Sequence, residues 1–167
     1  MKKALLGLLV VSALAGCAST GTKEAATVQD KSGQGAATTT GASQAVVNPL
    51  TDPNNILSKR SVYFDFDKSA VKDEYKPMVE AHAKYLNDHS DVKITIQGNT
   101  DERGSREYNL ALGQRRADAV KKMMNVLGVK DGQIETVSFG EEKPKASGND
   151  EAAWSQNRRA DIVYPGE

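Results

Sequence analysis

This chain has a single cysteine, two histidines, few aromatic residues and no excess of either charge sign. With only Cys17, no disulfide can form within the chain, so a folded core must hold by burial alone. His82 and His89 stand about 10 Å apart along a helix axis, too far to share one metal ion, and no other feature asks for a cofactor. Lys and Arg number 22, as do Asp and Glu. From Lys59 to the end the counts are 18 and 19. That balance speaks against nucleic acid and against a broad anionic membrane surface as partners. The longest apolar run, Ala4 to Ala15, is shorter than the roughly 20 residues that cross a bilayer core. The glycines of 98–104 do not form a phosphate-binding loop, and no serine sits in a nucleophile elbow.

What is present begins with Met1-Lys2-Lys3, the short apolar run and then Leu14-Ala15-Gly16-Cys17. A basic start, a short apolar stretch and small residues read as a secretory signal, residues 1–16, that is removed. Leu-Ala-Gly-Cys resembles the bacterial lipobox. That resemblance implies lipidation of Cys17, and several acyl chains on one residue anchor stably. Ala18, where an aspartate would retain the chain at the inner membrane, implies the outer membrane. From Ala18 to Ala45, 20 of 28 residues are Ala, Gly, Ser or Thr, and none is aromatic. Such a stretch cannot offset its ordering entropy by burial. Residues 17–50 are therefore expected to be the lipidated cysteine and a flexible tether. Its root-mean-square reach would be roughly 30 Å, and about 110 Å at full stretch.

Residues 51–167 carry the folding pattern. Val62, Phe64 and Phe66 alternate with Tyr63 and Asp65, which predicts a first strand with Asp65 outward. A helix is predicted from about Lys76 to Asn87, with Pro77 in its first turn and Met78, Val79, His82, Tyr85 and Leu86 on its apolar face. Val92, Ile94 and Ile96 predict a second strand, and 98–104 a loop. A long helix from about Ser105 to Leu127 is closed by Gly128. Ile134 to Phe139, Glu151 to Gln156 and Ala160 to Tyr164 predict a strand, a short helix and a last strand. The order predicts an α/β fold, a two-layer sandwich of helices on one mixed four-stranded sheet.

The long helix holds an anomaly. At 100° per residue from Leu112, Met123, Leu127 and Val120 fall between about 20° and 80° and define the buried stripe. Arg116, near 40°, and Asn109, near 60°, fall inside it, whereas Leu110 points the opposite way. A guanidinium in an apolar stripe is costly unless paired. Asp101, on the neighbouring loop, is its natural partner. Two readings stay open: an internal brace that pins the loop, or a site for a ligand. Trp154 reads as a packing anchor for the short helix, and Arg158 and Arg159 as surface charges or a partner contact. Glu102 and Arg103 sit at the loop tip, within reach of a partner or glycan.

Asn99-x-Asp101-x-x-Gly104, then Asn109-x-x-Leu112 and Arg116-Ala117-x-x-Val120, resemble the signature of the OmpA-like peptidoglycan-binding domains. The likeness runs from Tyr63 to Tyr164. Tyr63-Phe64-Asp65-Phe66-Asp67, Gly98 to Gly104, Glu107-Tyr108-Asn109 and Asn157-Arg158-Arg159-Ala160, with the lipobox, are similar to the lipid-anchored branch that works in the Tol system. The resemblance implies non-covalent binding of peptidoglycan stem peptides through meso-diaminopimelate, whose side chain ends in an ammonium and a carboxylate. It implies Asp101 on the ammonium and Arg116 on the carboxylate, completed by Asn109 and the backbone at Phe66 and Asp67. Leu110 would pack on the methylenes. It implies TolB and other Tol proteins as partners, with roles in envelope integrity and outer-membrane constriction at division. The alternatives are an OmpA-like lipoprotein outside the Tol system and a peptidoglycan-processing enzyme, for which no general acid or nucleophile with an orienting partner is seen. Gly113 stands where many relatives carry serine, and is expected to soften the helix by about 1 kcal/mol.

Overall fold

The computed structural model describes residues 48–166. The leader, Cys17 and the tether up to Val47 lie outside the described residues. Strands β1 (Ser61–Tyr63), β2 (Ile94–Asn99), β3 (Ile134–Gly140) and β4 (Arg159–Val163) alternate with helices α1 (Lys76–Asp88), α2 (Arg106–Val126) and α3 (Glu151–Asn157). They form one mixed sheet in the order β1-β4-β2-β3. Strand β2 runs parallel to β3, with Ile94 opposite Ile134, and antiparallel to β4, with Ile96 opposite Ile162. The β2–α2–β3 crossover lays α2 over the sheet beside α1, as the two-layer reading predicts.

The core is where the two periodicities meet. Ile94 and Ile96 of β2, Ile162 of β4 and Val62 of β1 face Val79, Ala83 and Leu86 of α1 and Ala117, Val120 and Met124 of α2. Pro77 sits in the first turn of α1, where its missing N–H costs nothing. His82 is buried on the same face. Its Nε2 meets the Lys59 carbonyl at 2.9 Å and its Nδ1 meets the Tyr164 hydroxyl at 2.8 Å. Gly128 adopts φ +96 just past α2, the left-handed geometry of a helix cap.

Three local expectations change. The first strand stops at Tyr63: the Phe64 N–H bonds the Arg158 carbonyl at 2.9 Å, and the chain then turns through Asp65–Lys68, with Asp67 at φ +54. Aspartate tolerates that left-handed region better than most side chains. On α2 the buried methionine is Met124, because the stripe centres between Arg116 and Met124; Met123 is half-buried and Leu127 emerges past the sheet. Gly113 marks the closest approach of α2 to β2. A Cβ there would stand 2.3 Å from Ser138 Oγ and 2.9 Å from the Gly98 oxygen, and a Cβ on Gly98 would stand 1.8 Å from the Gly113 oxygen. The two glycines let helix and strand touch, which outweighs the small propensity cost.

Candidate functional site

The C-terminal end of β2 leads into a loop, 100–105, that lies against the first half of α2 and the 64–68 turn. Ser105 caps α2, its hydroxyl accepting from the Tyr108 N–H at 3.2 Å. Between these elements is a cavity of about 250 Å³ lined by Phe66, Asp67, Thr100, Asp101, Arg103, Gly104, Tyr108, Leu112 and Arg116. Its walls carry two acids and two bases, with no histidine, cysteine or serine among them.

Arg116 is fully buried at 0 % exposure. It does not pair with Asp101. Its Nε donates to the Lys68 carbonyl at 2.9 Å, Nη1 to the Asn99 carbonyl at 2.8 Å and Nη2 to the Asp65 carbonyl at 3.2 Å. The guanidinium also lies 5.2 Å from the Phe64 ring centre. Arg116 thus ties the 65–68 turn to the end of β2. Its five N–H donors exceed those three bonds by two. Burial pulls its pKa down to about 10, against the nearby Asp101 and Asp67 carboxylates, so it stays a cation at neutral pH.

Asp101, 3 % exposed, is held by different arginines. Its Oδ2 accepts from Arg103 Nη2 at 2.6 Å and from Arg158 Nη1 at 3.3 Å, and its Oδ1 accepts from the Arg103 backbone N–H at 3.2 Å. Burial pushes its carboxyl up, but the bonds from Arg103 and Arg158 outweigh that and hold the pKa below the usual carboxylate value. Arg158 and Arg159 are therefore buried working residues rather than surface charges. Arg158 also donates to the Phe64 carbonyl and to Glu151, and Arg159 pairs with Asp161 at 2.8 Å. Trp154 packs outside the core. The Arg103 guanidinium is sandwiched between the Trp154 and Phe66 rings, at 4.0 and 4.2 Å from their centres, and the Trp154 indole N–H reaches Glu102. Stacking of this kind suits a planar cation.

Of the residues expected at the site, Asp101, Arg116, Phe66 and Asp67 line the cavity. Asp67 accepts from the Tyr108 hydroxyl. Asn109 is buried behind the loop, its amide donating to Glu141, and does not line the cavity. Leu110 is 50 % exposed and packs beside Phe139 on another face, as its helical phase foretold. Thr100, Tyr108 and Leu112 are cavity residues to which the sequence reading gave no ligand contact, and Arg103, expected within reach of a partner or glycan, lines the cavity too. Tyr108 and Leu112 stand four apart on α2, a spacing that was open to view.

A family model for the OmpA family matches residues 63–158, more than half of the chain. The chain belongs to the OmpA family. A "Peptidoglycan-associated lipoprotein" from Haemophilus influenzae is 47% identical over 167 residues, covering 98% of this chain and 100% of the relative. One of the same name from Pasteurella multocida is 56% identical over 104 residues, 62% of this chain and 69% of the relative. The crystal structure of the peptidoglycan-associated lipoprotein from Burkholderia pseudomallei has a TM-score of 0.69 at 61% identity, covering 70% of this chain and 99% of that one. The OmpA family, to which the chain belongs, is a non-enzymatic binding family.

Proposed function

We propose that the chain is an outer-membrane lipoprotein whose periplasmic domain binds peptidoglycan stem peptides through meso-diaminopimelate and so ties membrane to wall. The observation that carries this reading is the charge balance of the cavity, in which Asp101 and Arg116 are buried, Arg103 is half-buried and Asp67 is exposed. Asp67 and Asp101 line, together with Arg103 and Arg116, a cavity of about 250 Å³. A zwitterion with both charges on one carbon offers each sign in the cavity its opposite. Charge-assisted contacts of this kind contribute about 1.5–3 kcal/mol each before ordering costs. The names of the relatives support the wall as the source of the ligand. On the same reading Cys17 carries the lipid anchor, residues 17–50 form the tether, and the partners are TolB and the other proteins of the Tol–Pal system, acting in envelope integrity and in constriction at division. Asn109 serves behind the cavity through its bond to Glu141, and Leu110 lies outside the contact.

Sedimentation with purified sacculi tests this. The wild-type chain should pellet with them, and Asp101→Ala should leave most of the protein in the supernatant with its circular dichroism spectrum intact. Co-sedimentation of Asp101→Ala at the wild-type level would refute the reading.

A further inference from the structure

Strand β1 is one edge of the sheet, with β4 on its only bonded side. The Ile162 N–H bonds the Arg60 carbonyl at 2.8 Å and the Phe64 N–H bonds the Arg158 carbonyl at 2.9 Å, while Val62 stands opposite Ala160. Bonding alternates along an antiparallel pair, so Ser61 and Tyr63, which lie between these, turn their N–H and C=O groups away from β4. Among the described residues no group bonds those two donors and two acceptors.

A groove of about 900 Å³ lies along this open edge. Leu50, Ile56, Tyr75 and Met78 give it apolar walls, and Ile56 is 40 % exposed. Its charges are unbalanced. Lys59, Arg60 and Lys145 line it against one acid, Glu74, which already has Lys72 at 3.9 Å. Lys145 Nζ donates to the Tyr63 hydroxyl at 2.7 Å, and the Lys59 ammonium has no partner among the described residues.

We infer that this edge is a docking site for an extended, acidic segment of a partner protein, which adds as a further strand beside β1. The segment's main chain pairs with Ser61 and Tyr63, its acids meet Lys59 and Lys145, and its apolar side chains rest on the groove walls. Donors and acceptors alternate along the edge. A strand matches that alternation, whereas an anionic lipid headgroup, rich in acceptors alone, does not. A second copy's β1 would bring the same lysines face to face, and residues 18–47 of the chain carry two acids and two bases. Edge lysines deter unsuitable strands, so the charges that guard this edge also select an acidic one. Docking here is independent of the stem-peptide site, with which the groove shares no lining residue.

Amide exchange, read by nuclear magnetic resonance on the full chain in detergent, tests this with the acetylated peptide Glu-Val-Glu-Val-Glu-Val as probe. Millimolar peptide should slow exchange of the Ser61 and Tyr63 N–H groups at least fivefold, and the counterpart with Lys in place of Glu should not. Methylating the peptide's nitrogens at the Glu residues, or instead at the Val residues, strips the donors from one of its edges. One of these two peptides should lose the effect and the other keep it. Lys59→Glu combined with Lys145→Glu should weaken the peptide's affinity at least tenfold, with sacculus binding at the wild-type level. Unchanged exchange with the acidic peptide, or equal protection by both methylated peptides, overturns the inference. So does protection already present without peptide: the chain then covers its own edge, or a second copy does if protection rises with protein concentration. Equal protection by dioleoylphosphatidylglycerol vesicles overturns it in favour of a lipid site.

Discussion

The two halves of α2 bury the same face in opposite chemistries. Toward the C-terminus, Val120 and Met124 are fully buried against the strands and α1. Toward the N-terminus, Asn109 and Arg116 are just as buried, one donating to Glu141 and the other to three backbone carbonyls. In one half, burial removes hydrocarbon from water and stabilises directly. In the other it carries a desolvation cost that hydrogen bonds offset, and what it gains is a cation held rigidly at the wall of a cavity. One helix thus serves as both core element and site scaffold, and Gly113, between Asn109 and Arg116, is where the polar half touches the backbone of β2.

Substituting one residue in each half separates these roles. Arg116→Ala leaves three carbonyls without their charged donor and should destabilise by about 3–5 kcal/mol, comparable to breaking a buried ion pair. It should also abolish sacculus binding. Met124→Ala should destabilise by about 2–5 kcal/mol through its cavity, with affinity for sacculi unchanged once the protein is folded. Urea denaturation and sedimentation, run on both variants, check this. Loss of wall binding in a folded Met124→Ala protein would break the division between the halves. Of the two readings of Arg116 open from the sequence, the brace is seen in its bonds to the 65–68 turn, and its place on the cavity wall is what the proposed function builds on.

A smaller effect sharpens the comparison from the apolar side, where His82 is the polar exception. Because the Lys59 carbonyl can only accept, Nε2 carries the ring proton and Nδ1 accepts from the Tyr164 hydroxyl. Burial chiefly, with Arg60 adding to it, lowers its pKa from 6.5, against the bond to Lys59. The unfolded chain then binds the proton more readily, so stability rises with pH and is lost as pH falls below about 6.5 toward the lower folded-state value. The melting temperature should be flat above neutrality and decline below that point, ahead of any carboxylate titration. His82→Gln should lose that step, which differential scanning calorimetry across pH would reveal.

Much of this was legible from local pattern. Alternation located β2, β3 and β4, and helical phase exposed Arg116 and Asn109 as misplaced polar residues and set Leu110 on another face. What stayed hidden depended on distant segments. Arg158 reads as a surface charge until Asp101, 57 residues earlier, is folded beneath it. The early end of β1 is set by the turn that Arg116 grips, and no period-two pattern encodes that. Gly113 appears as a weak helix residue until Gly98 and Ser138 are seen against it. Met124 replaces Met123 because the centre of the stripe is fixed by where the sheet lies, which helical phase alone cannot supply.

The central claim is that the polar half of α2, with the loop before it, reads a zwitterion. Calorimetric titration of the full chain in detergent with three stem peptides tests it most directly: one with meso-diaminopimelate, one with its side-chain carboxylate amidated, and one with lysine in its place. Amidation removes the anion that Arg116 faces, and lysine lacks the carboxylate altogether. The account predicts at least a tenfold loss of affinity for both, about 1.4 kcal/mol. Equal affinities for the three would mean that Arg116 only braces the fold and that the cavity does not recognise the charge pair.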